Sequence, residues 1–313
     1  MTTDSTKTPI AEPVRHDFQT SGPRLTYFEW GEPGDQPVLL LHATGFHARC
    51  WDQTIAALGT GFHVYAVDMR GHGRSDRVEP YVWNSFAADI SELVEHLSLS
   101  DAIGVGHSMG GHCLVHVAAS HPRAFKHLVL VDPVIFEPDA YTADRYRGFD
   151  GAEDHPVSKR RNDFASWHEM YERFKERGSF AVWDDLVLED YCRYGVVAKT
   201  DGSGRFELAC PPLVESSIYL GNTSTDAYEQ IRQVTVPVVV LRAKGPDPDR
   251  DTVMDFSTSP TWEAVAAQFP DGTDVYLPEM THFMPMQDPR FVAGYIREGA
   301  RSPSTGIDNG SPE

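Results

Sequence analysis

Residues 103–111 read Ile-Gly-Val-Gly-His-Ser-Met-Gly-Gly. An apolar strand runs into Gly106-His107-Ser108-Met109-Gly110, a G-x-S-x-G pattern, and then into a helical segment. That order forces a tight turn whose central residue is strained and whose hydroxyl stands clear of the backbone. The competing reading, a phosphate-cradling turn, lacks the Lys-Ser/Thr ending. Ser108 is therefore the candidate nucleophile. A serine needs a base to take its proton and return it to the leaving group. Of the 14 histidines, His282, in Pro278-Glu279-Met280-Thr281-His282-Phe283, follows a late predicted strand, where ligands of open α/β sheets gather. A carboxylate must then hold the imidazole tautomer. Two places qualify: Asp132, directly after the run 127–131, and Asp247, with Asp249 beside it, after the run 236–241.

The segment Leu39-Leu40-Leu41-His42-Ala43-Thr44-Gly45-Phe46 is a buried strand ending in a loop ahead of a helix. In hydrolases built around an elbow serine, one oxyanion-hole amide follows the nucleophile and the other comes from such an early loop, which nominates the amides of Met109 and Thr44. His107, Trp167, Trp183 and Tyr191 are candidate substrate-binding residues, although the three cap aromatics also read as core of their own segment. His112 and His116 share a helix face at i, i+4, but without an accompanying acid they do not make a metal motif. No metal and no cofactor is expected. Arg160-Arg161 reads as a solvated charged face rather than an anion site.

The elements that must position these groups alternate. Runs 38–41, 62–67, 102–106 and 127–131 are short and apolar, as strands covered on both faces are, and segments 50–58, 85–97 and 109–120 between them have helix length. Such alternation predicts right-handed βαβ crossovers and a mainly parallel sheet. Residues 14–19 and 25–30, split by Ser21-Gly22-Pro23, read as an antiparallel hairpin at its edge. The rhythm stops after Pro133 and resumes with a strand at 236–241, a helix at 262–269, a strand at 274–277 and a helix at 290–297. The material between is aromatic, charged and without a convincing strand run. The expected organisation is a core of 14–133 and 226–300, a helical cap of 134–225, and unstructured tails at 1–13 and 301–313.

Composition narrows the partners. With 27 basic and 46 acidic residues the chain carries −19, which disfavours a nucleic-acid backbone or an anionic membrane surface. Four cysteines lie scattered without a C-x-x-C pair, the amino terminus lacks a secretory pattern, and no apolar stretch reaches the roughly 18 to 20 residues of a membrane span. A cytoplasmic protein without membrane insertion is expected, its partner a small molecule.

From about residue 22 to 297 the sequence resembles the α/β-hydrolase fold superfamily. The resemblance rests on the His42 loop, Asp68-Met69-Arg70-Gly71-His72-Gly73-Arg74-Ser75, the serine elbow, Leu130-Val131-Asp132-Pro133, and His282-Phe283 followed by Asp288-Pro289. It implies an eight-stranded, mainly parallel sheet with helices on both faces and an inserted cap. The sequence departs from the pattern in two places: Ala43 stands where Gly usually follows the histidine, and the usual Gly-x-x-Asp after the later strand is blurred into Ala243-Lys244-Gly245-Pro246-Asp247. Some relatives place the acid one strand earlier, which favours Asp132 over Asp247. Related dehalogenases and epoxide hydrolases carry aspartate at the elbow, so Ser108 points to acyl transfer. The expected function is a carboxylic ester hydrolase of esterase or lipase type, acting on a small ester. The alternatives are carbon–carbon bond hydrolysis of a ring-cleavage diketone, perhydrolase or haloperoxidase chemistry, and a receptor-like binding protein.

Overall fold

The structure, a computed structural model, describes residues 11–141, 149–221, 226–245 and 257–302. Its strands in chain order are β1 (Val14–Gln19), β2 (Arg24–Trp30), β3 (Gln36–Leu41), β4 (Phe62–Asp68), β5 (Ala102–His107), β6 (Phe125–Val131), β7 (Val196–Ala198), β8 (Phe206–Leu208), β9 (Val238–Ala243) and β10 (Gly272–Leu277). Eight of them make one sheet in the order β1-β2-β4-β3-β5-β6-β9-β10. β1, β2 and β4 pair antiparallel; every other neighbour pair is parallel. β5 and β6 are buried at every position, the environment their uninterrupted runs required.

Helices cover both faces. α2 (Trp83–His96) and α3 (Met109–Ser120) press Trp83, Phe86, Leu93 and Leu114 onto one face, while α1 (Asp52–Leu58) and α8 (Pro289–Ala300) press Ile55, Leu58, Val292 and Ile296 onto the other. The chain leaves the sheet after β6 and re-enters at β9. Between lie α4 (Trp167–Phe174), α5 (Asp185–Tyr194), the β7–β8 hairpin, α6 (Pro212–Leu220) and α7 (Tyr228–Ile231). Local chemistry starts these helices: Ser166 caps α4 by accepting from Glu169 N–H, and Asp184 caps α5 by accepting from Leu186 and Val187 N–H.

The insertion is tied to the core through the segment after β4. Arg74 donates to the carbonyls of Tyr194 and Val196 at 3.1 and 3.2 Å, and Arg77 pairs with Glu207 at 2.8 Å. Gln53 on α1 donates to Asp190 on α5 at 2.7 Å, and His47 donates from Nε2 to Tyr191 O at 3.0 Å. A third apolar cluster fills the seam, with Phe46 and Phe283 from the core meeting Trp183, Val187, Leu188 and Tyr191 from the insertion.

Two expectations are corrected. The insertion does contain strands: β7 and β8 have three residues each, too short to show alternation, and are joined across a turn with Gly202 and Gly204 at φ 76° and 68°. The helix expected at 262–269 is only a single tight turn at Ala266–Gln268. The residues at its threshold are committed elsewhere, with Thr261 Oγ1, just before it, donating to Pro133 O at 2.6 Å and Trp262 N to Ile135 O at 2.9 Å, and tertiary ties override propensity there. Of the tails, residues 1–10 and 303–313 lie outside the described residues. No helix among the described residues is long and apolar enough to cross a membrane.

Candidate active site

The turn between β5 and α3 has the geometry its glycines demand. Ser108 sits at φ 57°, ψ −117°, a conformation L-residues avoid at a cost of about 1–3 kcal/mol. It is held by Ser108 N–H donating to Val131 O and by Ser108 O accepting from the amides of Gly111, His112 and Val134. A Cβ on Gly106 would stand 2.5 Å from Gly110 O, and one on Gly110 would stand 2.4 Å from Leu41 O. The two glycines of the motif are thus fixed by close backbone approach, and the strained serine is what that packing leaves between them.

Three side chains from three distant segments meet here. Ser108 Oγ lies 3.0 Å from His282 Nε2, and His282 Nδ1 lies 2.6 Å from Asp132 Oδ2. Since the carboxylate can only accept, Nδ1 carries the ring proton and Nε2 is free to accept from the serine hydroxyl. The other carboxylate oxygen of Asp132 accepts from Ala243 N at 3.0 Å and Ser259 Oγ at 2.5 Å, and Thr261 Oγ1, whose proton goes to Pro133 O, lies 3.3 Å from it. Asp132 is fully buried, and Ser108 and His282 are nearly so, at 6% and 4% exposed. A dry site of this kind strengthens each charge-assisted bond. Asp247 and Asp249 lie outside the described residues.

The early loop reaches the same place. Thr44 Oγ1 donates to Met109 Sδ at 3.3 Å, so the side chains of the two residues that carry the candidate oxyanion amides are in contact. Met109 is the first residue of α3, so its N–H has no acceptor within the helix and lies at the positive end of the helix dipole. Two buried histidines brace the loop: His42 Nε2 accepts from Met69 N–H and His72 Nε2 from Gly45 N–H, both at 3.0 Å. Burial pushes both imidazoles down, His72 to about 4, so both are neutral acceptors at ordinary pH. The motif around Asp68 serves the same end. Asp68 accepts from Ala48 and Arg74 amides at 2.7 Å, and Arg70 forms a two-pronged pair with Asp89.

The remaining candidates divide. His107 is completely buried and donates from Nε2 to His282 O at 2.8 Å, so it lies behind His282 rather than on an open surface. Trp183 and Tyr191 stand over the loop, their ring centroids 5.7 and 5.3 Å from that of Phe46 and 5.4 Å from each other. Phe283, next to His282, completes this group at 5.7 Å from Phe46. Trp167 is outside it, on α4 against His168 and beneath Arg193. His112 and His116 stack at 5.0 Å, and no group of three metal-ligating side chains occurs among the described residues. Arg160 overturns the solvated-face expectation: it turns inward to Glu215, at 2.6 and 2.8 Å, while Arg161 is the surface residue, paired with Glu169. Phe46, Phe283, Ser259, Thr261 and Glu215 escaped the sequence reading because no local spacing marks them.

Comparison with known proteins agrees with this architecture. The alpha/beta hydrolase family model matches residues 38–294, and the chain belongs to that family. It is 36% identical over 118 residues to a non-heme chloroperoxidase of Streptomyces lividans, covering 37% of this chain and 43% of that protein. It is 37% identical over 105 residues to a bifunctional esterase/perhydrolase of Acinetobacter calcoaceticus, covering 33% of this chain and 38% of that protein. With 2-(acetamidomethylene)succinate hydrolase of Mesorhizobium japonicum it shares 36% over 103 residues, 32% of this chain and 37% of that protein. The matched region thus spans less than half the length of each relative. The solved structure of E-2-(acetamidomethylene)succinate hydrolase aligns over 92% of this chain and 99% of its own with a TM-score of 0.72 at 20% identity. A thioesterase domain from the curacin biosynthetic pathway aligns over 92% and 100%, also at 0.72, with 17% identity. At those identities the likeness speaks to the fold.

Proposed function

We propose that the chain is a serine hydrolase that cleaves a carboxylic ester or similar acyl bond of a small, largely apolar molecule through an acyl-enzyme. The observation that carries this reading is the unbroken relay Ser108–His282–Asp132, with Oγ–Nε2 at 3.0 Å and Nδ1–Oδ2 at 2.6 Å. Ser108 Oγ attacks the carbonyl carbon while its proton passes to His282 Nε2, and Asp132 stabilises the imidazolium. The Thr44 and Met109 amides receive the oxyanion. His282 then protonates the leaving oxygen, the tetrahedral adduct collapses to the Ser108 ester, and a water deprotonated by His282 releases the acid and restores the serine. Residues 134–225 act as a cap whose Trp183 and Tyr191, with Phe46 and Phe283, line the apolar side. The four cysteines are buried free thiols, which supports a reducing, cytoplasmic setting.

Fluorophosphonate labelling with peptide mapping tests the reading without knowledge of the substrate. Label on Ser108 that vanishes in Ser108→Ala, together with hydrolysis of p-nitrophenyl esters, is expected; a folded wild-type protein that neither labels nor turns over esters would sink it. A second reading, perhydrolysis, is favoured by the esterase/perhydrolase among the relatives. There hydrogen peroxide replaces water in attacking the acyl-enzyme and leaves as the peracid. Peracid formation from an ester and peroxide, lost in Ser108→Ala, is its signature.

A further inference from the structure

Beside the oxyanion loop lies a small cleft, partly open to solvent, lined by Gly45, Phe46, Tyr191, Cys210, Arg160 and Glu215 among others. Its polar wall is unusual for so buried a place. Glu215, 3% exposed, stands so close to Gly45 that a Cβ there would meet its carboxylate at 2.5 Å. Arg160 holds that carboxylate with Nη1 alone, at 2.6 and 2.8 Å, and donates from Nη2 to Tyr191 Oη at 3.4 Å. Glu215 therefore occupies one edge of the guanidinium. The Nε–H and the remaining Nη2–H have no other protein acceptor among the described residues. Burial pushes the Tyr191 phenol up, so its hydroxyl keeps its proton and, having accepted from Arg160, has that proton to donate.

We propose that this cleft is a substrate-recognition subsite for a carboxylate, with Arg160 as the specificity-determining residue. The inference rests on the serine-hydrolase reading and adds a substrate class to it: an ester that carries a free carboxylate a few bonds from the scissile carbonyl. The donors fit that group. Two parallel N–H bonds from one edge of a guanidinium match the two oxygens of a carboxylate, and the Tyr191 O–H adds a third. A cation is poorly served, because Glu215, the acid of the cleft, is already neutralised by Arg160. Position fits as well. Gly45 adjoins Thr44, and Phe46 lies 5.3 Å from Tyr191 and 6.0 Å from His107, so the cleft opens beside the loop that carries Thr44. On a chain of net charge −19, an anion gains nothing from the long-range field, and a local guanidinium has to supply the attraction.

Two matched ester pairs test the proposal. p-Nitrophenyl hydrogen succinate against p-nitrophenyl butyrate places the carboxylate on the acyl side; 4-carboxyphenyl butyrate against phenyl butyrate places it on the leaving side. In one pair the wild type is expected to favour the carboxylate ester at least tenfold in kcat/KM, and Arg160→Met is expected to cut that ratio by about 10- to 100-fold, the range a charge-assisted hydrogen bond supplies. Glu215→Gln, which keeps the guanidinium and removes its resident partner, is expected to retain or raise the ratio. Should Arg160→Met fail to fold because Glu215 is left unpaired, Arg160→Met/Glu215→Met gives the same readout without the orphaned charge. A purely structural ion pair would leave the ratio unmoved. No preference in either pair, or a preference that survives both Arg160 variants, overturns the subsite while ester turnover and Ser108 labelling leave the hydrolase reading standing. Inert esters together with an unlabelled Ser108 overturn that reading and the subsite with it.

Discussion

His107 Nε2 donates across 2.8 Å to the backbone carbonyl of His282, so the residue before Ser108 grips the residue whose ring faces it. Their ring centroids are 5.1 Å apart, and burial pushes His107 down to about 3, so it is neutral and cannot compete for the proton on His282. Its Nδ1 has no hydrogen-bond partner among the described residues. The contact is one of position, and its worth is measurable.

Replacing His107 by Phe removes the donor while filling the space. About 1 kcal/mol of net hydrogen-bond energy, spent on aligning His282, corresponds to a loss of roughly five- to tenfold in kcat with KM little changed. His107→Gln, which restores a donor, should recover part of it. Steady-state kinetics on a neutral ester decide the matter; wild-type kcat in the Phe variant would show that the bond positions nothing.

Asp132→Asn presents a test of the acid. The amide leaves the shape intact but offers an N–H or a neutral oxygen where the carboxylate held Nδ1–H, and ester turnover should fall by about three to four orders of magnitude. Asp247→Asn should be far milder. Equal or reversed losses in kcat/KM would transfer the role away from Asp132.

The elbow glycines make a prediction about stability rather than rate. A methyl on Gly110 meets Leu41 O at 2.4 Å, backbone that cannot step aside without moving β3. Gly110→Ala is expected to lower unfolding free energy by about 1–3 kcal/mol. Urea denaturation reads this directly, and an unchanged midpoint would mean that the turn has slack the packing denies.

Asp190, which accepts from Gln53 between α5 and α1, is pushed up to about 7, chiefly by burial and then by the nearby Asp52 carboxylate. Its pKa is raised on folding, so the stability it contributes is complete below about pH 4 and is lost as pH rises to about 7. Asp190→Asn keeps an acceptor for Gln53 and cannot ionise. Its Tm relative to wild type should therefore climb by a few degrees between pH 4 and pH 8. Parallel Tm curves for the two proteins would refute this.

Much of the site was legible because its chemistry is local in sequence. Ser108 stands inside five residues whose glycines are each explained by a contact under 2.6 Å, and β5, β6 and α3 announce themselves by runs of burial. His282 could be chosen from 14 by its place after the last strand. What escaped was pairing at a distance. Arg160 resembles its exposed neighbour Arg161 until Glu215, 55 residues away, turns it inward. The segment leading into 262–269 hid a different obligation, since Ser259 is spent on the Asp132 carboxylate, Thr261 on Pro133 O and the Trp262 amide on Ile135 O. The β7–β8 hairpin carries too few residues for any period to register.

The ties of Arg74 and Arg77 to Tyr194, Val196 and Glu207 bear on how this protein can be re-engineered. Both arginines sit in or beside the stretch that also holds Asp68 and His72, the same stretch that braces the loop bearing Thr44. The ties to the insertion and the bracing of the Thr44 loop are therefore written in one piece of sequence. Transplanting the insertion of a relative onto this core would leave two guanidinium groups without acceptors beside the reaction centre. A productive chimera is expected to need residues 68–77 exchanged together with the insertion, because these hydrogen bonds join the two.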